Sequence, residues 1–317
     1  QRQISVDKNY MFSVTQTVEN TSSEAVRIAP YAAIMRHGEP QDQRNFFIIQ
    51  EGPMRQTQDE LKEYSYDDLR DFGSDPRWGA SASAATDVTG GWLGFTDHYW
   101  MAMLVPDQTT PYSSVLSYDA GRNTYRSEAR LPTLEIAPGE TSQVTTQFFA
   151  GAKEWETIRN YQNQLGIYRF LDSIDWGWFF FLTKPIFAAL HFLNALVGNM
   201  GWSIIALTLL IKAVLLPLAY KSYVSMAKMK ELQPEMEKLK EEAGEDREKM
   251  QKGMIELYKK NKVNPASGCL PILLQIPIFF SLYKVIFVTI ELRHAPWLGW
   301  IKDLSAPDPS SILNLFG

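Results

Sequence analysis

Hydrophobic positions change their spacing along the chain, and this change divides the chain into two parts. Up to about residue 150 they alternate with polar positions in short runs, for example at residues 10–15, and turn residues separate the runs. A period of two is typical of half-buried strands. From Trp176 onward the chain instead contains apolar runs of helical length. The pattern predicts a β domain followed by a helical membrane region.

The first part, residues 1–150, is predicted to be an antiparallel β-sandwich, because many short strands follow one another without helices between them. The polar segment 51–87 is predicted to be a long excursion at one edge of the sandwich. Strands are predicted at residues 10–15, 26–28, 46–50, 92–105, 112–118, 124–131 and 143–149.

The sandwich contains no obvious catalytic or metal-binding set. His37 and His98 are isolated from other histidines and from cysteine, so neither has the spacing of a metal ligand. No phosphate loop, HExxH motif or nucleophile elbow is present in the sequence. Residues 1–175 hold 15 Lys and Arg against 24 Asp and Glu, a balance that disfavours nucleic acid as a specific partner. The sequence predicts no enzyme, no cofactor and no metal site.

Two helices are predicted between the sandwich and the first long apolar run. Residues 151–175 form a linking segment whose apolar positions from Lys153 to Ser173 recur at helical spacing. Residues 176–200 are apolar but interrupted by Lys184 and His191. An amphipathic helix lying in the membrane interface is the favoured interpretation of this segment. The alternative is a membrane span, because the segment is long enough to cross a bilayer.

Residues 201–220 are predicted to span the membrane, and they carry one charge, Lys212. At ~1.5 Å per residue, Lys212 lies roughly 15 Å along the helix from Trp202, near the middle of the bilayer. A lone ammonium there costs roughly 3 kcal/mol on insertion scales. Lys212 therefore indicates either a hydrated cavity or a structural lysine paired with a carboxylate on another helix. Thr208 lies one turn earlier on the same face.

Residues 221–263 are predicted to form a helical hairpin in the cytoplasm. Lysines crowd both of its membrane ends, which places the loop on the cytoplasmic side. If residues 176–200 lie in the interface, the sandwich is then on the other side. Apolar residues recur at helical steps on both arms. They include Met226, Met229, Met250 and Met254, which either pack the arms together or provide an adaptable contact surface.

Residues 264–290 are predicted to be a second span, and residues 291–317 a periplasmic loop followed by the start of another membrane helix. Gln275 and Lys212 both lie roughly 9–12 Å from the cytoplasmic ends of their spans, so they could share one polar cavity. Lys284 is predicted to snorkel to the outer surface. Trp297 and Trp300 are predicted to anchor the loop at the membrane interface.

Several motifs in the second part occur in an order that resembles the YidC/Oxa/Alb family of membrane protein insertases. They are GNMGWSIIALTLLIKAVLLPL, SMAKMKELQPEMEKLKEE, KVNPASGCLPILLQIPIFFSLY and ELRHAPWLGWIKDLSAPDP. The resemblance covers about residues 175–317. Weaker similarity around Gly90-Gly91-Trp92 and Pro138-Gly139 extends it to the periplasmic domain of the bacterial members.

The resemblance implies a multi-pass protein of the bacterial inner membrane whose helical core encloses a hydrophilic groove open to the cytoplasm and to lipid. Lys212, where bacterial members usually have arginine, and Thr208, Gln275, Ile276 and Pro277 match positions along the substrate path. The implied partners are nascent membrane proteins, the Sec translocon, the ribosome and membrane lipids. The chain is interpreted as a fragment without the first and last membrane helices. Alternative functions are a tethered periplasmic carbohydrate receptor and a small-molecule transporter.

Overall fold

The computed structural model of the protein describes residues 1–41, 49–244, 246–261, 263 and 270–306. These residues group into two compact units. The first consists of Gln1–Asp175 with Val288–Glu291, and the second of Trp176–Phe287 with Leu292–Gly317. The boundary at Asp175 coincides with the change from alternating to helical spacing in the sequence.

The first unit is built from antiparallel sheets, so the predicted β-sandwich is confirmed. One sheet has seven strands in the order β1-β2-β14-β10-β9-β5-β6, the second has five in the order β4-β12-β11-β8-β7, and β3 pairs with β13. The strands are β1 (Arg2–Val6), β2 (Met11–Glu19), β3 (Val26–Ile28), β4 (Tyr31–His37), β5 (Gly52–Gln56), β6 (Leu61–Glu63), β7 (Ser74–Asp75), β8 (Ala80–Val88), β9 (Trp92–Thr96), β10 (Trp100–Val105), β11 (Tyr112–Asp119), β12 (Thr124–Arg130), β13 (Leu134–Ile136) and β14 (Thr141–Ala152).

The core lies between the two large sheets and follows from their alternation. Leu93 and Leu104 are directly opposite each other on β9 and β10, and both pack against Tyr112 and Ala129 of the other sheet. Phe95, two residues beyond Leu93, lies in a second buried cluster with aromatic and aliphatic side chains of the five-stranded sheet. Burying each large apolar side chain stabilises the unit by ~1.5–3 kcal/mol.

The predicted edge excursion at residues 51–87 is wrong, because this segment contributes to both sheets. All five residues of β5 are buried, and β5 pairs with β9 inside the seven-stranded sheet. A short helix, α1 (Tyr66–Asp71), follows, and a capping box between Ser65 and Asp68 starts it. It buries Tyr66 and Leu69 in the core.

Two further predictions about the first unit need correction. The run 92–105 is a hairpin of two strands rather than one strand, since a turn between Thr96 and Trp100 separates β9 from β10. The predicted helix from Lys153 to Ser173 is helix α2 (Trp155–Gln164), followed by a separate 3-10 turn, Phe170–Ser173. Gly166 adopts the left-handed conformation with φ 65°, which ends the helix. The strand predicted at 46–50 lies mostly outside the described residues.

The second unit is helical. Its helices are α3 (Phe180–Val197), α4 (Met200–Glu231), α5 (Gln233–Ala243), α6 (Arg247–Lys260) and α7 (Leu270–Val288), and a 3-10 turn follows at Ile290–Leu292. Helices α3, α4 and a stretch of α7 are long and apolar enough to cross a membrane. Helix α4 is 32 residues long in total and contains Pro217 in its interior. The interfacial position predicted for α3 stays a prediction.

The region predicted to be a hairpin contains the last turns of α4, followed by α5 and α6, which pack on each other. A Cβ atom on Gly253 of α6 would lie 2.7 Å from a methyl carbon of Leu239 on α5, so the two helices are in close contact. The hydroxyl of Tyr258 lies 3.8 Å from the sulfur of Met236. Pro234 occupies the first turn of α5, where proline is well tolerated.

Candidate functional site

Lys212 lies in the middle of the apolar part of α4. Its side chain is exposed on the surface of the helix, and it makes no ion pair within the part of the chain that the structure describes. Its neighbours Val214 and Leu216 are also exposed, to 70% and 65%. A cation is thus surrounded by apolar side chains on a surface that a membrane would cover. The arrangement disfavours the alternative of a structural lysine held by a carboxylate of the described residues.

The other residues predicted to line the substrate path differ in exposure. Thr208 is half-buried, and its hydroxyl donates a hydrogen bond of 2.9 Å to the carbonyl of Ile204, one turn earlier. Gln275 and Ile276 are exposed on α7, and Pro277 is half-buried. The hydroxyl of Thr208 therefore donates its hydrogen bond within its own helix, whereas the side-chain amide of Gln275 is exposed.

The four methionines predicted to contact partners lie on two different helices. Met226 and Met229 belong to the last two turns of α4, and Met250 and Met254 belong to α6. All four side chains are half-buried. Met226 and Met229 therefore belong to the apolar helix and not to an arm of the hairpin, because α4 ends at Glu231 and not near residue 221.

Lys284 was predicted to snorkel towards water, but its side chain is only 4% exposed. A Cβ atom on Gly177 would lie 3.5 Å from Cε of Lys284, so the lysine stem packs closely on the backbone there. One turn away, the side chain of Ser281 is also buried. The two lysines of the predicted spans thus differ, since Lys212 is exposed and Lys284 is covered by protein.

Sequence reasoning missed a contact at the beginning of α4. The side-chain carbonyl of Asn199 accepts a hydrogen bond from the amide of Trp202, and its amide group donates to the carbonyls of Pro296 and Trp297 at 3.3 and 3.4 Å. A Cβ atom on Gly201 would lie 2.3 Å from the ring of Trp297. Glycine is required by this approach. An Asn-x-Gly sequence at a helix start was the only signal for it.

The two histidines of the sandwich have structural roles. Nδ1 of His37 lies 3.1 Å from the hydroxyl of Thr124 on the neighbouring strand, and His98 stacks on Tyr99. No group of three metal-ligating side chains occurs among the residues the structure describes.

Fold and site together define a polytopic membrane protein with a large soluble β-sandwich domain. Residues 1–189 match the family model described as the YidC periplasmic domain, and residues 192–316 match the model described as the 60Kd inner membrane protein. The chain belongs to the YidC periplasmic domain family. It is a bacterial inner-membrane protein, and its sandwich is the periplasmic domain.

Relatives named membrane protein insertase YidC match the whole chain. The relative from Roseobacter denitrificans is 64% identical over 316 residues, and the one from Ruegeria pomeroyi is 62% identical over 321 residues. The alignments cover 100% of this chain but 52% of each relative. The chain thus spans about half the length of the curated relatives it matches.

Solved structures give weaker similarities. A crystal structure described as an active YidC insertase has a TM-score of 0.38 and 19% identity, covering 82% of this chain and 68% of the other. A galactose mutarotase related enzyme from Lactobacillus acidophilus has a TM-score of 0.35 and 10% identity, covering 47% of this chain and 60% of the enzyme.

Proposed function

We propose that the protein containing this chain inserts segments of nascent membrane proteins into the bilayer, with Lys212 holding polar groups on their way through it. The carrying observation is the exposed ammonium on the apolar surface of α4. The names of the relatives support the same activity. The proposed mechanism is binding and release, without a covalent step.

The energetic argument starts from the polar parts of a segment that enters the membrane. A charged or hydrogen-bonding group loses its water there, at a cost of several kcal/mol when nothing replaces that water. An ammonium that faces the bilayer must draw in water or polar partners, because its stem of ~6 Å is too short to reach a surface from mid-bilayer. Such a hydrated patch lowers the barrier for a polar or acidic tail.

The positions of Thr208 and Gln275 extend this patch in the proposal. Gln275 is exposed, and its side-chain amide can both donate and accept hydrogen bonds. Ile276 and Pro277 next to it would contact the apolar part of the same segment, which then leaves into lipid. The hairpin α5–α6, together with Met226, Met229, Met250 and Met254, would receive the segment in the cytoplasm. The Sec translocon and the ribosome are the proposed partners of the whole protein.

The test replaces Lys212 in the full-length protein and measures insertion of a single-span substrate with an acidic extracytoplasmic tail. We expect Lys212→Leu to reduce insertion strongly, and Lys212→Arg to retain most of it because the charge is kept. Lys221→Leu is the matched control, since it removes the same charge at the end of the apolar run. Undiminished insertion by the Lys212→Leu variant would refute the proposed role of this residue.

The alternative functions give different results in simple assays. A tethered carbohydrate receptor would bind sugars through the sandwich and tolerate the replacement of α4 by another apolar helix. A transporter would move a small solute across vesicles without any nascent chain. Either result, with insertion absent in the full-length protein, would displace the proposal.

A further inference from the structure

The segment after α7 is an ordered loop, and one carboxylate organises it. In residues 293–305, Oδ1 of Asp303 accepts hydrogen bonds from the backbone amide of His294 at 3.0 Å and from the amide and hydroxyl of Ser305, both at 2.8 Å. Oδ2 of Asp303 lies 3.1 Å from Nδ1 of His294. These contacts join the two ends of the loop.

Trp297 attaches this loop to the first turn of α4. Its ring lies against Gly201 and meets the ring of Trp202 edge-on, with centroids 5.7 Å apart. The hydrogen bonds from Asn199 to the carbonyls of Pro296 and Trp297 hold the same point of the loop. Trp297 therefore acts as a clamp between two segments of the protein, and its ring is half-buried between them.

The outward side of the loop combines apolar and cationic side chains. Leu298 and Trp300 are 60% and 69% exposed. Arg293 and Lys302 are also exposed. The only carboxylate in this loop, Asp303, is directed into it, with 23% of its side chain exposed. The exposed part of the loop thus has a positive charge next to two large apolar groups.

The position of the loop next to the membrane helices α4 and α7 indicates that lipid would cover its exposed side chains. α4 and α7 are connected through the hairpin at one end, so the start of α4 and the end of α7 lie on the same side of any membrane that both helices cross. The loop lies at that side and contacts the start of α4. Tryptophan and leucine favour the boundary between headgroups and acyl chains, and Lys and Arg next to them bind lipid phosphates.

We propose that residues 293–305 form a lipid-binding ledge on the side of the membrane where α4 begins and α7 ends. Leu298 and Trp300 enter the boundary between headgroups and acyl chains, and Arg293 and Lys302 bind the phosphates of phospholipid headgroups. Trp297 fixes the ledge to α4. The ledge is independent of the insertion activity proposed above, because it needs only that α4 and α7 cross the bilayer.

The first experiment measures the depth of single positions in the full-length protein. All native cysteines, Cys269 included, are replaced by serine, and an environment-sensitive NBD dye is attached to a cysteine introduced at Leu298→Cys or Trp300→Cys. In phosphatidylcholine vesicles we expect blue-shifted emission that is quenched more by a nitroxide near the headgroup than by one at the acyl-chain end. Emission typical of water with no nitroxide quenching at either position would overturn the ledge.

The second experiment tests the clamp and the phosphate contacts. Trp297→Ala should weaken the quenching at position 298, whereas Trp297→Phe should keep it, because a flat ring can still lie on Gly201. Adding phosphatidylglycerol to the vesicles should increase the blue shift, and the double variant Arg293→Gln, Lys302→Gln should abolish that increase. An increase that persists in the double variant would refute the phosphate contacts. Crosslinking of position 298 to a protein without any lipid quenching would assign the ledge to a protein partner and refute the proposal.

Discussion

The sandwich and helix α4 differ in whether a charged side chain has a partner of opposite charge. In the sandwich, the Glu128 side chain is 6% exposed and is flanked by Arg126 and Arg130, which both pair with it. Arg36 on β4 pairs at 2.9 Å with Asp97 in the turn between β9 and β10 of the other sheet. In the helical unit, Lys212 makes no ion pair within the described residues and is surrounded by exposed apolar side chains.

The difference follows from what each unit uses as its solvent. The sandwich buries its apolar side chains against itself, so a charge near the core needs a partner from the same unit. The helical unit leaves large apolar side chains such as Leu209 and Val214 more than 60% exposed. For these helices the bilayer is the solvent, and within the described residues Lys212 is exposed without an ion pair. The sandwich should therefore respond to changes in its own core, and α4 to changes in what surrounds it.

The largest effect is expected from opening the core of the sandwich. Trp92 is 0% exposed and meets Phe170 edge-on, with centroids 6.1 Å apart. Trp92→Ala should lower the free energy of unfolding by about 4 kcal/mol, because it removes a large buried ring and leaves a cavity. Trp100 provides the control, since it is 52% exposed, and Trp100→Ala should cost less than about 1 kcal/mol.

The measurement for both tryptophan variants is urea unfolding of the intact protein in detergent, followed by the β-sheet circular dichroism signal. The helical circular dichroism signal of the second unit should be the same in both variants at urea concentrations below the unfolding of the sandwich. Equal destabilisation by the two variants would mean that burial does not govern the stability of the sandwich, and the contrast between the two units would fail.

A smaller loss is expected when the ion pair between the two sheets is broken. Nη1 of Arg36 donates to both carboxylate oxygens of Asp97 and to the hydroxyl of Tyr66. Desolvation opposes its charge, but Tyr66 and Asp97 together raise the pKa of Arg36. Arg36→Ala leaves a half-buried carboxylate without its cation and should cost about 2 kcal/mol.

Arg122 is the control for this ion pair, because it is 83% exposed and lies 3.9 Å from Asp119. Arg122→Ala should change the unfolding free energy by less than about 0.5 kcal/mol. Salt should narrow the difference between the two variants only slightly, since the Arg36 pair is partly shielded from solvent. If 1 M salt made the two variants equally stable, the sandwich would hold its charges no differently from an exposed surface.

The sequence predicted the type of each unit better than the ends of its elements. The runs predicted as strands at residues 112–118 and 124–131 coincide with β11 and β12. β5 escaped prediction because all five of its residues are buried and its sequence GPMRQ contains Gly, Pro and Arg. Its burial depends on strands distant in sequence, which a local pattern does not report.

The same limit applies to the candidate site. The position of Lys212 in an apolar run was readable, because charge stands out against such a background. That Trp297 and Trp300 differ was not readable, since both have the composition of interfacial anchors. The difference comes from Gly201, which lies almost a hundred residues earlier and leaves room for one of the two rings. Contacts between distant segments set the roles of these residues, and periodicity carries no information about them.

The smallest expected effect is a pH dependence at the junction of the first hairpin and α2. Asp7 accepts hydrogen bonds from the hydroxyl of Tyr161 and from the backbone amides of Asn9 and Met11. Desolvation alone would raise the pKa of Asp7, but these hydrogen bonds outweigh it and lower the pKa below its usual 3.8. A carboxylate with a depressed pKa stabilises the fold above its unfolded pKa, and this stabilisation is lost as the pH falls through the folded one.

Asp7→Asn should therefore flatten the acid side of the stability profile of the sandwich, below about pH 4, and leave the profile near neutrality parallel to that of the unchanged protein. Because Asp7 is largely solvent-exposed, the effect should stay below about 1 kcal/mol. Tyr161→Phe removes one of the three donors and should flatten the profile by less. Urea midpoints across this pH range measure both variants. A steeper acid loss in Asp7→Asn would mean that desolvation outweighs the hydrogen bonds, and that this exposed carboxylate, unlike the paired charges of the core, destabilises the sandwich.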